Sequence, residues 1–326
     1  SIPVHNNIKL RHNNYKKLIN NYKDTIANIA KNKIKTICYN FMPIVDWTRT
    51  QLDFKLPTDG LALKFNYLQI IIFEMHILKL KNLDARYSKK QINDAEKLYK
   101  KMKPKDINNM KFSIMGGLPA SETNYSISGF KKMLDAYKNV QHNDLRENLR
   151  DFIKAIIPIA EENNIKMAIH PDDPPIPLFG VPRIVSTYDD YNFILNSYNS
   201  ESNGMTFCSG SLASNIHNDI YKIFNKFKDK VNFIHLRNVK IEKDNKSFYE
   251  SNHLSGDVDF VKLIKMILNE EKRRSKNKKV EIPMRPDHGH ALLDDQKKKT
   301  FNPGYTAIGR LMGLSELRGI IKAIQN

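Results

Sequence analysis

Four residues with metal-binding side chains close four successive apolar stretches. His170 ends KMAIH (Lys166–His170), Cys208 ends MTFC (Met205–Cys208), His235 ends VNFIH (Val231–His235), and Asp287 follows VEIPMR (Val280–Arg285). They are spaced 38, 27 and 52 residues apart, room each time for a helix and its loops. Two imidazoles, a thiolate and a carboxylate make a donor set for a divalent transition metal, and the single thiolate favours Zn²⁺ or Fe²⁺ over Mn²⁺ by ligand softness. Each donor is followed by polar, turn-forming residues: PDDPP, SGS, RN and HGH. Taken singly, a histidine ending a strand is ordinarily a hydrogen-bonded rim residue, and a lone cysteine there is ordinarily packed away. The argument for chemistry is the succession of four.

Such donors need a scaffold that brings strand ends together. The near-continuous apolar runs are separated by helical stretches at Tyr188–Tyr198, Ser214–Lys228 and Val258–Arg273. That alternation predicts parallel strands with helical crossovers. In a parallel barrel all strand C-termini open on one face, where catalytic groups collect. Upstream, Ile2–His5 reads as the tail of a strand and Lys35–Phe41 as the next one. Between them Asn13–Lys31 is helical, with Leu18, Ile19, Tyr22, Ile26, Ile29 and Ala30 at helical spacing. Asp46–Asn66 alternates around Pro57-Thr58-Asp59-Gly60, which predicts a β-hairpin. Residues 66–164 are mainly helical, with interruptions at Lys103–Asp106 and Gly116–Ser128, and read as a helical insertion within one barrel domain.

Composition narrows the function classes. The 326 residues are 40% hydrophobic, enough for a substantial core, and only two are cysteine, so a disulfide scaffold is excluded. The longest apolar run, around Leu68–Phe73, is too short to span a bilayer, and no signal peptide is expected. The net charge of +18 attracts anions, but the excess is mostly lysine spread along the chain and reads as solvated surface. The run EKRRSKNKK (Glu271–Lys279) reads the same way, and Gly116-Gly117 does not fit a phosphate-binding loop.

Longer strings carry a family resemblance. CYNFMPIVDWTRT (Cys38–Thr50), IHPDDPPIPLFGVPRIVS (Ile169–Ser186), GMTFCSGSLAS (Gly204–Ser214), IHLRNV (Ile234–Val239), FYESNHLSGDVD (Phe248–Asp259), RPDHGH (Arg285–His290) and NPGYTAIGRLMGLSELRGI (Asn302–Ile320) resemble the mannonate dehydratase family from end to end of the chain. The resemblance implies an α/β fold of TIM-type (β/α)8 barrel architecture and a Mn²⁺ or Fe²⁺ centre. It implies a hydro-lyase that dehydrates D-mannonate to 2-keto-3-deoxy-D-gluconate in hexuronate (glucuronate) breakdown. It places the metal on His170, Cys208, His235 and Asp287 and the catalytic pair on His288 and Tyr305. Tyr305 as proton acceptor and His288 as donor to the leaving hydroxyl is the expected split. SIPVH resembles the end of the family's second barrel strand, so an N-terminally incomplete barrel is expected.

The neighbours of these residues carry further expectations. Arg237 is expected to grip an anionic oxygen of the substrate, Asn238 a hydroxyl, and His253 to contact the substrate from its loop. Asp172 and Asp173 read as loop-shaping groups, Cys38 as a packed strand residue, and Trp47 and Arg49 as a segment over the barrel mouth or at a subunit contact. The partner is expected to be a small sugar acid, with no nucleic acid or membrane, in a cytoplasmic homo-oligomer, a dimer. Two alternatives remain at this point. One is a metal-dependent barrel nuclease acting on damaged DNA, which needs more carboxylate ligands and a basic groove. The other is a truncated, inactive paralogue that binds a sugar acid without turning it over.

Overall fold

The computed structural model describes residues 1–116, 126–298 and 301–325. In chain order the strands are β1 (Thr36–Tyr39), β2 (Gln51–Lys55), β3 (Leu61–Phe65), β4 (Lys166–Ile169), β5 (Asn203–Cys208), β6 (Val231–His235), β7 (Val239–Ile241), β8 (Phe248–Glu250) and β9 (Met284–Arg285). Five of them form a parallel sheet in the order β1-β4-β5-β6-β9. The sheet curls into a half-barrel with helices on its convex side. Ile2 extends it beyond β1 through a parallel bridge to Tyr39, its N–H donating to the Cys38 carbonyl at 3.0 Å.

Strand periodicity divides the two faces. On β1, Ile37 and Tyr39 enter the helix-side core, whereas Thr36 and Cys38 face the inner cavity. On β6, Ile234 joins the core, and Phe233 and His235 face inward. Helix His142–Glu162 packs Leu145, Leu149, Phe152, Ile156 and Ile157 into that core at helical spacing. Phe152 meets Tyr22 of helix Tyr15–Lys31 edge-on, with ring centroids 5.0 Å apart.

The hairpin expected at Asp46–Asn66 is β2–β3, turning through Leu56–Gly60. It is half of a four-stranded antiparallel sheet, β2-β3-β8-β7, whose second hairpin was not legible in the sequence. Strands of three residues give too few alternations to detect, and their turn at Asp244–Asn245 resembles an ordinary polar loop. The region of 66–164 is helical as expected: Tyr67–Ile72, Lys89–Tyr99, Pro104–Gly116, Ile127–Tyr137 and His142–Glu162. Residues 117–125, including Gly117 and most of the expected interruption at Gly116–Ser128, lie outside the described residues.

Two expectations are corrected in detail. The stretch Ser214–Lys228 is not one helix. Helix Ser209–Ala213 ends before it, and helix Ile220–Phe227 starts afresh where Asp219 caps the N–H groups of Tyr221 and Lys222. The strand expected at Val280–Arg285 is only Met284–Arg285, because Val280 is solvent-exposed and Pro283 has no N–H for a ladder. Among the described residues, no helix is long and apolar enough to cross a membrane.

Candidate active site and metal centre

Because β4, β5 and β6 run parallel and adjacent, their C-terminal ends meet, with His170 directly following β4. His170, Cys208 and His235 each offer a donor atom, and the three atoms lie within 4.8 Å of one another. The register pairs Cys208 directly with His235, and the His170 N–H is tied to the Tyr39 carbonyl at 2.7 Å. His170 Nδ1 lies 2.7 Å from the Pro171 carbonyl oxygen, which can only accept. Nδ1 therefore carries the hydrogen, and Nε2 keeps its lone pair. Among the described residues, neither nitrogen of the buried His235 ring meets a hydrogen-bond partner. Buried polar atoms are normally paired. Two orphaned imidazole nitrogens beside a thiol and a second imidazole therefore fit a bound cation. Burial pushes both histidines down, which keeps them neutral, as metal ligation requires.

Asp287 stands beside this trio rather than within it. Its Oδ2 is 3.6 Å from His235 Nδ1, while Oδ1 accepts from Arg285 at 2.8 Å. Arg237 comes within 3.7 Å of Oδ2. Burial pushes this carboxyl up, but His235, His288, Arg237 and Arg285 outweigh it and hold it well below the usual range. Its backbone has φ +65°, a left-handed conformation that costs energy for a side-chain-bearing residue and concentrates at functional sites.

One residue further on, His288 faces Tyr305, with Nε2 and the phenol oxygen 3.2 Å apart. Gly304 makes this approach possible. Its φ of +81° suits glycine, and a Cβ there would lie 2.7 Å from Leu63 Cδ1. The Gly289 N–H donates to the Gly304 carbonyl at 2.8 Å, tying the two loops together. Burial and the nearby Asp287 carboxylate push the Tyr305 phenol up. Trp47 packs edge-on against His288 with ring centroids 6.0 Å apart. Trp47, Asp173, Arg237, Arg285, His288 and Tyr305 line the same cavity of about 760 Å³ as His170 and His235.

Behind this surface lies a buried charge network. Arg49 donates to both oxygens of Asp173, at 2.8 and 3.2 Å, and to Glu250 Oε1 at 2.7 Å. Arg237 donates to Asp173 Oδ2 at 2.6 Å and to Ser211 Oγ at 2.7 Å, and Ser211 Oγ lies 3.2 Å from Cys208 Sγ. Glu250 accepts from His288 Nδ1 at 2.7 Å. Burial pushes Glu250 up, but His288, Arg237 and Arg49 prevail and bring it down to about 2. The same balance, with Arg237 and Arg49 prevailing over burial, lowers Asp173.

Comparison with known proteins places this chain in a family. The family model described as D-mannonate dehydratase (UxuA) matches residues 1–326. The chain belongs to the D-mannonate dehydratase family. It is 43% identical to a mannonate dehydratase of Marinomonas sp. (strain MWYL1) over 98% of this chain and 82% of that protein. It is 42% identical to one of Saccharophagus degradans over 100% of this chain and 82% of that protein. The crystal structure of mannonate dehydratase from Streptococcus suis serotype 2 superposes with a TM-score of 0.74 at 32% identity, covering 99% of this chain and 75% of that one.

Within this member of the dehydratase family, the expected substrate contacts separate. Arg237 lines the cavity, but its Nη2 is held by Asp173 and Ser211 rather than by a surface partner. Asn238 is placed elsewhere. Its amide donates to the carbonyls of His253 and Val258, and its oxygen accepts from the N–H groups of Val239 and Val258. His253 stacks on Phe260 and points Nε2 at the Pro286 carbonyl at 3.1 Å. Both residues therefore clamp loops, and neither lines the 760 Å³ cavity. Asp172 shapes its loop through Val185 and Ser186, whereas Asp173 is part of the charge network. Cys38 faces the cavity beside Thr206, with Sγ and Oγ1 3.3 Å apart. Ser211 and the pairing of Glu250 with Arg49 were not found from the sequence. The only signal for Arg49 and Glu250 was their place in strings shared with the family.

Proposed function

We propose that this chain dehydrates D-mannonate to 2-keto-3-deoxy-D-gluconate in hexuronate breakdown, using Mn²⁺ or Fe²⁺ held by His170, Cys208, His235 and Asp287. The observation that carries the proposal is a donor cluster of His170, Cys208 and His235 whose two histidines line one cavity with the His288–Tyr305 pair, in a chain of this family. When bound, the divalent ion supplies Lewis-acid stabilisation of negative charge developing at the substrate carboxylate and adjacent hydroxyl.

The protein groups divide the remaining work. Dehydration removes the proton from the carbon beside the carboxylate and the hydroxyl from the next carbon, which departs as water; the resulting enol tautomerises to the 2-keto acid. One group must take the carbon-bound proton and another must protonate the departing hydroxyl. His288 and Tyr305 are assigned this work jointly. A carboxylate can only accept, so the Glu250 contact places a hydrogen on His288 Nδ1. In a neutral ring Nε2 then accepts from the Tyr305 hydroxyl. The expected split, with Tyr305 accepting and His288 donating, begins once that proton has crossed the 3.2 Å between them. Arg237, fixed by Asp173 at 2.6 Å, offers positive charge to an anionic substrate at the cavity wall. Trp47 against His288 restricts the ring's tilt.

The half-barrel is proposed to represent part of a (β/α)8 barrel, supported by its match to the S. suis enzyme. The cytoplasmic setting and the homodimer are carried with the same proposal, and the unbridged Cys38 and Cys208 suit a reducing compartment. A nuclease is not favoured, because the clustered donors are two imidazoles and a thiol rather than several carboxylates. The test is turnover of D-mannonate by the purified chain, with and without added Mn²⁺ or Fe²⁺. Ion-dependent formation of the 2-keto acid is expected. No product with either ion, from protein shown to be folded, refutes the proposal.

A further inference from the structure

His288 and His290 of the HGH string both close on Glu250. His288 Nδ1 lies 2.7 and 2.9 Å from its two carboxylate oxygens, and His290 Nε2 donates to its backbone carbonyl at 2.8 Å. Glu250 is itself held from behind, because Arg49, fully buried, donates to Oε1 at 2.7 Å and chelates Asp173 with the same guanidinium. That guanidinium stacks over Trp47 at 4.7 Å and Phe248 at 5.0 Å, so its position is set by packing as well as charge. Glu250 is only 3% exposed and does not line the 760 Å³ cavity, so it stands behind His288 rather than on the cavity wall.

We propose that Glu250 is a positioning residue for the dehydration. Its carboxylate fixes His288 as the Nδ1–H tautomer and turns the Nε2 lone pair toward Tyr305 and the cavity, while Arg49 holds the carboxylate in register. The inference rests on the dehydratase reading for its kinetic consequence, but not for the tautomer itself. Orientation of a catalytic imidazole by a buried carboxylate is a general device, and replacing the acid by its amide acts by forcing the other tautomer.

The geometry makes the amide variant informative. In Glu250→Gln the side chain keeps its shape but has one oxygen acceptor and one NH₂ donor. Arg49 can only donate, so it takes the oxygen, and the NH₂ is left facing His288 Nδ1. With the NH₂ at 2.7 Å from Nδ1 and the oxygen, already engaged by Arg49, at 2.9 Å, His288 is expected to accept at Nδ1 and carry its hydrogen on Nε2. Two measurements test this. The first is ¹⁵N-histidine NMR of the full chain loaded with diamagnetic Zn²⁺ at about pH 8.5, where an ordinary imidazole is neutral. His288 is identified there by comparison with His288→Gln. Unaltered protein is expected to show a protonated Nδ1 and an unprotonated Nε2, and Glu250→Gln the reverse. The second is steady-state turnover of D-mannonate with the native ion. Glu250→Gln is expected to lose about 10²–10⁴-fold in kcat, with KM within about threefold and metal content unchanged. Glu250→Asp, which keeps an acceptor, is expected to recover part of the loss. An Nε2–H tautomer in the unaltered chain overturns the proposal. So does a Glu250→Gln variant with kcat within threefold of the parent, or with its loss confined to KM. Should Glu250→Gln fail to fold, the tautomer of the unaltered chain decides. Failure of the unaltered chain to turn over D-mannonate strikes the dehydratase reading instead, and the NMR measurement still judges Glu250.

Discussion

Arg49→Met tests whether the buried charge network is held together by a single guanidinium. Arg49 has no solvent exposure and makes three hydrogen bonds to two carboxylates. Methionine preserves much of the packing on Trp47 and Phe248 while removing the charge. Asp173 then keeps Arg237 and Ser211, and Glu250 keeps His288. Removing one partner of a buried ion pair costs about 3–5 kcal/mol. The surviving partners place this case near the lower end, at about 3 kcal/mol. The pH dependence supplies the sign. Glu250 sits at about 2 in the folded chain, below its ordinary value of 4.5. The stabilisation is therefore fully present above about 4.5 and is lost as pH falls toward about 2. In Arg49→Met the folded carboxylates move back toward ordinary values, so the variant has less to lose in acid. The cost should shrink by about 1 kcal/mol between pH 7 and pH 4 for each carboxylate released. Urea unfolding of parent and variant at both pH values measures this. A cost below about 1 kcal/mol at pH 7, or one that is equal at pH 7 and pH 4, refutes the reasoning.

Other consequences follow from the same geometry. His288→Ala and Tyr305→Phe should retain the metal, measured by elemental analysis, while losing about 10²-fold or more in kcat; near-normal turnover at saturating D-mannonate would falsify their assignment. Cys208→Ser should abolish stoichiometric Mn²⁺ or Fe²⁺ binding, whereas Ser211→Ala, which removes only the hydroxyl beside Sγ, should weaken it by roughly 10–100-fold in a chelator competition assay. Gly309→Ala should lower stability by about 1–3 kcal/mol, because its Cβ would strike the His290 backbone where helix Ala307–Gln325 docks; an unchanged unfolding midpoint would show that this contact relaxes freely.

The donor trio was legible before any tertiary information because two local periodicities imply it. An apolar run of strand length places its last residue at the strand's end. Parallel alternation with helices then places all those ends on one edge of the sheet. His170, Cys208 and His235 needed nothing more, and the β5–β6 register brings the last two directly opposite one another. The hairpin at Leu56–Gly60 was legible for a similar reason, since a turn signal between alternating segments is a local property.

The remainder of the site depended on pairings that local pattern does not encode. Arg49 and Glu250 are 201 residues apart, and they meet because β3 pairs with β8 and carries the end of one hairpin onto the start of another. Each looked in the sequence like an ordinary charged residue, and only burial and a 2.7 Å contact distinguish them from solvated side chains. Asn238 and His253 show what polarity alone leaves undecided. Polar residues near a ligand were expected at the substrate, yet their hydrogen-bonding capacity is taken up by backbone groups of the Val258 and Pro286 segments. Sequence periodicity determined which residues stand at the mouth of the sheet, because side-chain direction repeats every two residues along a strand. Which of those residues face the cavity, and which carboxylate steadies which imidazole, was decided by long-range strand pairing in the folded chain, because a hydrogen bond depends on tenths of an ångström between atoms that the covalent chain leaves far apart.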